Sequence, residues 1–222
     1  MISAILFDLD ETLLDRTASL QSFLADQYER FSQGLGDVAF EAWRDRFLTL
    51  DARGLVHKSV VYCELLREFG GDPSMAETLL ADYRHKCSEH ACAFPSMAET
   101  LTALRATGLK LGIVTNGEAT FQSCHIEALG LRELVDAVLI SETEGLRKPE
   151  KAMFMRAANR LNVQPEECLF VGDSPAADIL GAHAAGMQTA WFPNGTNWPA
   201  NLPPTPGFTI SGLSEILALA HN

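Results

Sequence analysis

The stretch from Ile2 to Thr12 limits what this chain can fold into more than any other. Five of the six residues from Ile2 to Phe7 are apolar, and the run stops at Asp8, Leu9, Asp10, Glu11 and Thr12. Such a run reads as a buried β-strand. Carboxylates at the mouth of a buried strand repel one another and lose solvation, so they need a cation or a proton between them. In an open α/β sheet the carboxyl ends of the strands are where ligands bind. One aspartate there is explained by a capped turn, but two are not.

The rest of the chain has the means to build such a sheet. With 222 residues, 47% of them hydrophobic, it can bury a full core, as one large domain or as a domain carrying a smaller inserted one. A formal charge of −12 opposes nucleic-acid polymers and anionic membrane surfaces, which attract clustered Lys and Arg, but leaves small anions open. No apolar run approaches the roughly 20 residues of a spanning helix, and acidic residues follow the N-terminus too closely for a signal peptide. Five irregularly spaced cysteines make a poor disulfide framework and read as free thiols. These features point to a cytoplasmic protein, a monomer or homodimer, with a small-molecule partner.

From Asp15 to Cys92 the β pattern disappears. Apolar residues recur at helical spacing: Leu20, Phe23 and Leu24; then Trp43, Phe47 and Leu48; then Val61, Leu65 and Leu66. Turn signals at Gly34–Asp37, Gly54 and Gly70–Pro73 divide the block into about four helices. The heptapeptide Pro-Ser-Met-Ala-Glu-Thr-Leu occurs twice, at 73–79 and 95–101, without matching flanks. Each copy has the Ser-x-x-Glu form of a capping box, Ser74 with Glu77 and Ser96 with Glu99, so each predicts a helix start. His85, Cys87, His90 and Cys92 resemble metal ligands, but at about 100° per residue they spread round a helix instead of sharing a face.

Strands and helices alternate after Ser96. Strands are predicted at 110–114, 137–140, 168–171, 187–192 and 208–210, with helices near 96–106, 118–129 and 150–161 and another carrying Asp178. This is a doubly wound, Rossmann-like parallel sheet, the core spanning 1–14 and 93–222, with an all-helical cap domain inserted at 15–92. Asp8, Asp10, Thr115, Lys148 and Asp173 all fall at carboxyl ends of predicted strands or at the start of the next helix. Those ends share one edge of a parallel sheet, so four distant segments converge on one site.

Asp8-Leu9-Asp10-Glu11-Thr12, Thr115-Asn116-Gly117, Arg147-Lys148-Pro149 and Gly172-Asp173 with Asp178 resemble, in order, the four signature motifs of the haloacid dehalogenase-like (HAD) hydrolase superfamily. The helical insertion after the first motif resembles its type 1 cap. The resemblance implies a Mg2+-dependent phosphatase acting on a small phosphorylated metabolite. Asp8 would be the nucleophile and Asp10 the general acid and base. Mg2+ would be held by Asp8, the Asp10 backbone carbonyl and Asp173, while Asp178 orients the metal water or Lys148. Thr115, Lys148 and the backbone N–H groups near Leu9 and Asn116 would bind the phosphoryl oxygens. Acidic neighbours are expected to help Asp10 hold its proton part of the time.

The same residues rank rival reactions. Haloacid dehalogenases resemble this pattern but replace the second aspartate of the first motif, so Asp10 argues against that activity. Phosphonatases form a Schiff base with a cap lysine, for which Lys58 is the better candidate. Phosphohexomutases often have glycine where this chain has Glu11. An idle binding protein on the same fold has no chemical need for both Asp8 and Asp10. Arg16, Arg53, His57 and Lys58 are candidates for recognising the substrate, a nucleoside monophosphate or a sugar phosphate. Trp191, Phe192, Asn194 and Trp198 either border it or pack a long loop.

Overall fold

The computed structural model describes residues 1–220. Its strands are β1 (Ala4–Phe7), β2 (Lys110–Thr115), β3 (Ala137–Ile140), β4 (Cys168–Gly172), β5 (Gln188–Trp191) and β6 (Phe208–Thr209). They form one sheet in the order β3-β2-β1-β4-β5-β6, with every neighbouring pair parallel. The strand order reverses beside β1, which therefore opens at the switch point where doubly wound sheets bind ligands. The helices are α1 (Arg16–Phe31), α2 (Phe40–Asp51), α3 (Lys58–Phe69), α4 (Met75–Lys86), α5 (Met97–Ala106), α6 (Ala119–Ala128), α7 (Ser141–Glu144), α8 (Lys151–Arg160), α9 (Gly181–Ala185) and α10 (Ile216–Leu219).

The chain divides into two compact units, Met1–Arg16 with Cys92–Asn222, and Thr17–Ala91. In the sheet unit, Leu6, Val114, Leu139 and Phe170 pack against Met153, Phe154 and Ala157 of α8 and Ala182 of α9. Phe154 meets Phe170 edge-on at 5.0 Å, and burying a side chain of that size contributes about 1.5–3 kcal/mol. Phe94 meets Phe192 in the same way at 5.0 Å. Element edges lie within a few residues of the sequence reading. The short α7 is additional: its four residues, Ser-Glu-Thr-Glu, carry no apolar period to predict it.

The second unit is helical. Trp43, Phe47, Tyr62 and Leu65 are fully buried in it, Phe47 and Tyr62 edge-on at 5.4 Å. Gln27 ties its interior together, Nε2 donating to the Leu79 carbonyl at 3.1 Å and to Asp82 at 2.9 Å while Oε1 accepts from the Tyr62 hydroxyl at 2.8 Å. Lys58 is buried and ion-paired with Asp51, its ammonium 5.5 Å from the Tyr83 ring centre.

Helices do begin just after Ser74 and Ser96, but neither capping box forms. The Ser74 N–H is taken by Asp72 Oδ1 at 2.9 Å, so an upstream carboxylate supplies the acceptor. Ser96 is left-handed, with φ 61°, outside the extended region from which an N-cap side chain ordinarily reaches back to the first turn. His85 lies against the Ala81 carbonyl and His90 against Ser22, while Cys87 is buried. The described cysteines are all free thiols, and no described helix is long and apolar enough to cross a membrane.

Candidate active site

The site grows from the end of β1. The Asp8 N–H continues the ladder by donating to Val171 O on β4 at 2.9 Å, which fixes the aspartate between two central strands. The chain then turns tightly: Leu9 O accepts the N–H groups of Thr12, Leu13 and Leu14, and Glu11 takes φ 59°. That turn swallows the apolar Leu9 and Leu13 and leaves Asp10 half-buried.

Lys148 is 3% exposed and reaches both acidic motifs. Its Nζ stands 2.5 Å from Asp8 Oδ1 and 2.7 Å from Asp178 Oδ1. Asn116 holds the lysine's backbone from both sides: its Nδ2 donates to Lys148 O, and its Oδ1 accepts the Lys148 N–H, each at 2.9 Å. The amide after β2 therefore latches the loop that carries the amine, a role for the Asn116 side chain that its motif position did not reveal.

Asp173 and Asp178 follow β4. Asp178 sits in a π-helical turn, Pro175–Leu180, a local widening that often accompanies functional sites. It is fully buried, and its Oδ2 accepts the Ser174 N–H at 2.9 Å. A Cβ added to Gly172 would fall 2.5 Å from the Asp178 carboxyl, so only glycine lets that group lie against the strand. The Asp173 backbone is held by the Trp191 indole, which donates to its carbonyl at 2.8 Å. Trp191 also meets Trp198 edge-on at 5.1 Å, and Asn194 donates to Glu11 Oε2 at 2.5 Å. These loop residues thus brace both acidic motifs.

Ligand oxygens of Asp8, Asp173 and Asp178 lie within 4.8 Å of one another. Burial pushes the Asp8 carboxyl well above the ordinary carboxylate range; Lys148 pulls it down, while Asp178, Asp173 and Asp10 add to the rise. Burial acts against the Lys148 charge too, but Asp178 and Asp8 outweigh it and hold the ammonium protonated above lysine's ordinary value. Asp8 and Asp178 share one ammonium and Asp173 lies close to both, so carboxylates crowd this end of the sheet. Hard oxygen donors crowded in this way suit a small divalent cation.

Asp10 turns elsewhere. Its Oδ2 accepts from Gln122 Nε2 at 2.7 Å, and its Oδ1 is 4.0 Å from Arg16 Nε. One donor thus holds it and a guanidinium stands near it, in addition to the acidic neighbours that the sequence predicts. Thr115 is fully buried at the end of β2 and accepts from the same Gln122 nitrogen at 2.6 Å. Gln122 carried one unread signal: it shares the buried stripe of α6 with His125 and Ile126, where a polar side chain needs partners.

Residues 5–192 match the family described as Haloacid dehalogenase-like hydrolase. The chain is 34% identical to a glyceraldehyde 3-phosphate phosphatase of Methanopyrus kandleri, over 98% of this chain and 96% of the relative. It is 35% identical to a ribulose-1,5-bisphosphate 5-phosphatase of Halopiger xanaduensis, over 86% and 85%. Among solved structures, the HAD-hydrolase YfnB of Bacillus subtilis, bound to magnesium, superposes with a TM-score of 0.82 at 25% identity, covering 100% of this chain and 99% of that one.

Proposed function

This chain belongs to the haloacid dehalogenase-like hydrolases and is a hydrolase of phosphatase type, and from that premise we propose that it cleaves small phosphomonoesters through a phosphorylated Asp8, with Mg2+ as cofactor. The observation that carries the reading is the buried Asp8 carboxylate, gathered with Asp173, Asp178 and the Lys148 ammonium at the carboxyl edge of the sheet. An inert fold has no use for so costly a cluster.

Asp8, Asp173 and the Asp10 backbone carbonyl would hold Mg2+. When bound, it supplies the positive charge that lets a dianionic phosphate approach three carboxylates. Asp8 attacks phosphorus: a carboxylate is a weak nucleophile that depends on positioning, which its N–H bond to β4 and its lysine contact supply, and the positive charge of Lys148 favours its ionised form against burial. Lys148 and the Thr115 hydroxyl meet the charge that spreads over the equatorial oxygens. Asp10 protonates the departing alkoxide, then takes a proton from the water that cleaves the phosphoaspartate.

Substrate selection is assigned to the helical unit, acting as a cap. Arg53 and His57 lie in its exposed segment, where Ala52, Arg53 and Gly54 all have positive φ. Lys58, locked to Asp51, is a poor Schiff-base lysine. Two of the relatives are named for sugar phosphates and another, 30% identical, for pyrimidine nucleotides, so both classes belong in the substrate panel. The test is phosphate release from glyceraldehyde 3-phosphate, ribulose 1,5-bisphosphate, nucleoside monophosphates and p-nitrophenyl phosphate, with and without Mg2+. Metal-dependent turnover with an acid-stable phosphate label on Asp8 is expected; no turnover across the panel rejects the reading.

A further inference from the structure

Gln122 is 2% exposed, and a carboxamide in a core costs free energy unless its hydrogens are used. Both hydrogens go to the site: Nε2 stands 2.6 Å from Thr115 Oγ1 and 2.7 Å from Asp10 Oδ2, with the Asn116 carbonyl a third acceptor at 3.4 Å. A carboxylate and a carbonyl present acceptors, so it is the nitrogen of the carboxamide that faces them. Because Thr115 Oγ1 accepts one amide hydrogen, its own hydrogen must point away from Gln122. Because Asp10 Oδ2 accepts the other, Oδ1 is the oxygen that the amide does not take. Arg16 Nε, at 4.0 Å from Oδ1, is beyond hydrogen-bond distance.

We propose that Gln122 is a positioning residue that sets, through one nitrogen, both the rotation of the Asp10 carboxyl and the direction of the Thr115 hydroxyl. This rests on the phosphatase reading above. In the first half-reaction an Asp8 oxygen forms a bond to phosphorus and the ester P–O bond breaks, its electron pair staying on the leaving oxygen. As general acid, Asp10 gives that oxygen a proton and becomes a carboxylate. A hydrogen bond to a carboxylate is stronger than one to a neutral carboxyl, so the Gln122 N–H strengthens as the proton departs. Thr115, its hydrogen already turned from Gln122, is left to donate to a phosphoryl oxygen.

Gly117 makes room for this arrangement. A Cβ there would lie 2.7 Å from Gln122 Cγ, and the Gly117 N–H is held by Ser141 Oγ at 3.0 Å. Replacing Gly117 by alanine therefore displaces the carboxamide while keeping its chemistry.

The test compares kcat/KM, which reports steps up to phosphorylation of Asp8, for two substrates. An alkyl phosphate such as glycerol phosphate needs a proton on its leaving oxygen, whereas p-nitrophenyl phosphate hardly does. Gln122→Met keeps the side chain's length and loses both N–H groups. Its kcat/KM on the alkyl phosphate is expected to fall about 10- to 100-fold, part of the 10²–10⁴ that a general acid supplies, with a several-fold smaller fall on p-nitrophenyl phosphate. Gly117→Ala should show the same asymmetry more weakly, and it carries the test if Gln122→Met does not fold. An equal fall on both substrates, or none on either, overturns the positioning role. Wild-type protein without Mg2+-dependent turnover on either ester rejects the phosphatase reading, and the positioning role with it.

Discussion

Each of the two units buries a lysine against aspartate, and the two clusters differ in how many carboxylates stand around the lysine. In the helical unit, Lys58 meets Asp51, lies over the Tyr83 ring and is 3.4 Å from the Val56 carbonyl. In the sheet unit, Lys148 bridges Asp8 and Asp178, and Asp173 lies within 4.8 Å of both. A lysine set on one aspartate can be a structural brace, whereas carboxylates gathered round a single buried lysine are held together by the fold at a cost in stability. Such a cost is characteristic of sites shaped for chemistry.

The largest effect that separates the clusters is expected from Asp8→Asn. Turnover should drop by at least about 10⁴-fold, since removing a nucleophile costs on this scale, while circular dichroism stays unchanged. The same substitution should stabilise the metal-free protein. The folded Asp8 carboxyl is raised well above its unfolded value, mainly by burial. The folded state therefore binds the proton more tightly, and wild-type stability falls as pH climbs from the unfolded value of about 4 towards the folded one. Urea midpoints in EDTA should then diverge towards neutral pH, with Asp8→Asn the more stable. Coincident curves, or retained turnover, would break the contrast.

Lys58→Met should act in the opposite sense. Removing one partner of a buried pair costs about 3–5 kcal/mol, read as a shift in the urea midpoint. The double variant Lys58→Met with Asp51→Leu should recover most of that loss. Turnover on p-nitrophenyl phosphate should survive in Lys58→Met at low temperature; its abolition would revive the Schiff-base alternative.

Mg2+ sharpens the same comparison. At a concentration of 100 times its Kd it should stabilise wild-type protein by about 2.7 kcal/mol, with little effect on Asp173→Asn. Asp10→Asn should keep that metal response while kcat drops on the order of 10²-fold, because only its backbone carbonyl is assigned to the metal. The smallest expected effect is in thiol reactivity. Each unit has an exposed cysteine, Cys63 or Cys124, and a buried one, Cys87 or Cys168, the last with its thiol pushed up to about 12 chiefly by burial. In mild urea, Lys58→Met should hasten labelling of Cys87, and metal-free Asp8→Asn should slow labelling of Cys168.

The polypeptide alone specified the alternation of strands and helices, the helical insertion, and the charged residues at strand ends. Those features follow from local periodicity and from the rule that parallel strands share one carboxyl edge. Only tertiary structure decided which groups touch. That Asn116 clasps the Lys148 backbone, that Trp191 holds the Asp173 carbonyl and that Gln122 joins Asp10 to Thr115 are contacts across 32, 18 and 112 residues. No spacing rule reaches so far. The two Ser-x-x-Glu sequences make the converse point: identical heptapeptides promised two capping boxes and formed neither, because Asp72 took over at one site and a left-handed Ser96 stood at the other. A side chain's partner is settled by what packing brings within hydrogen-bond distance, and the sequence records that only indirectly.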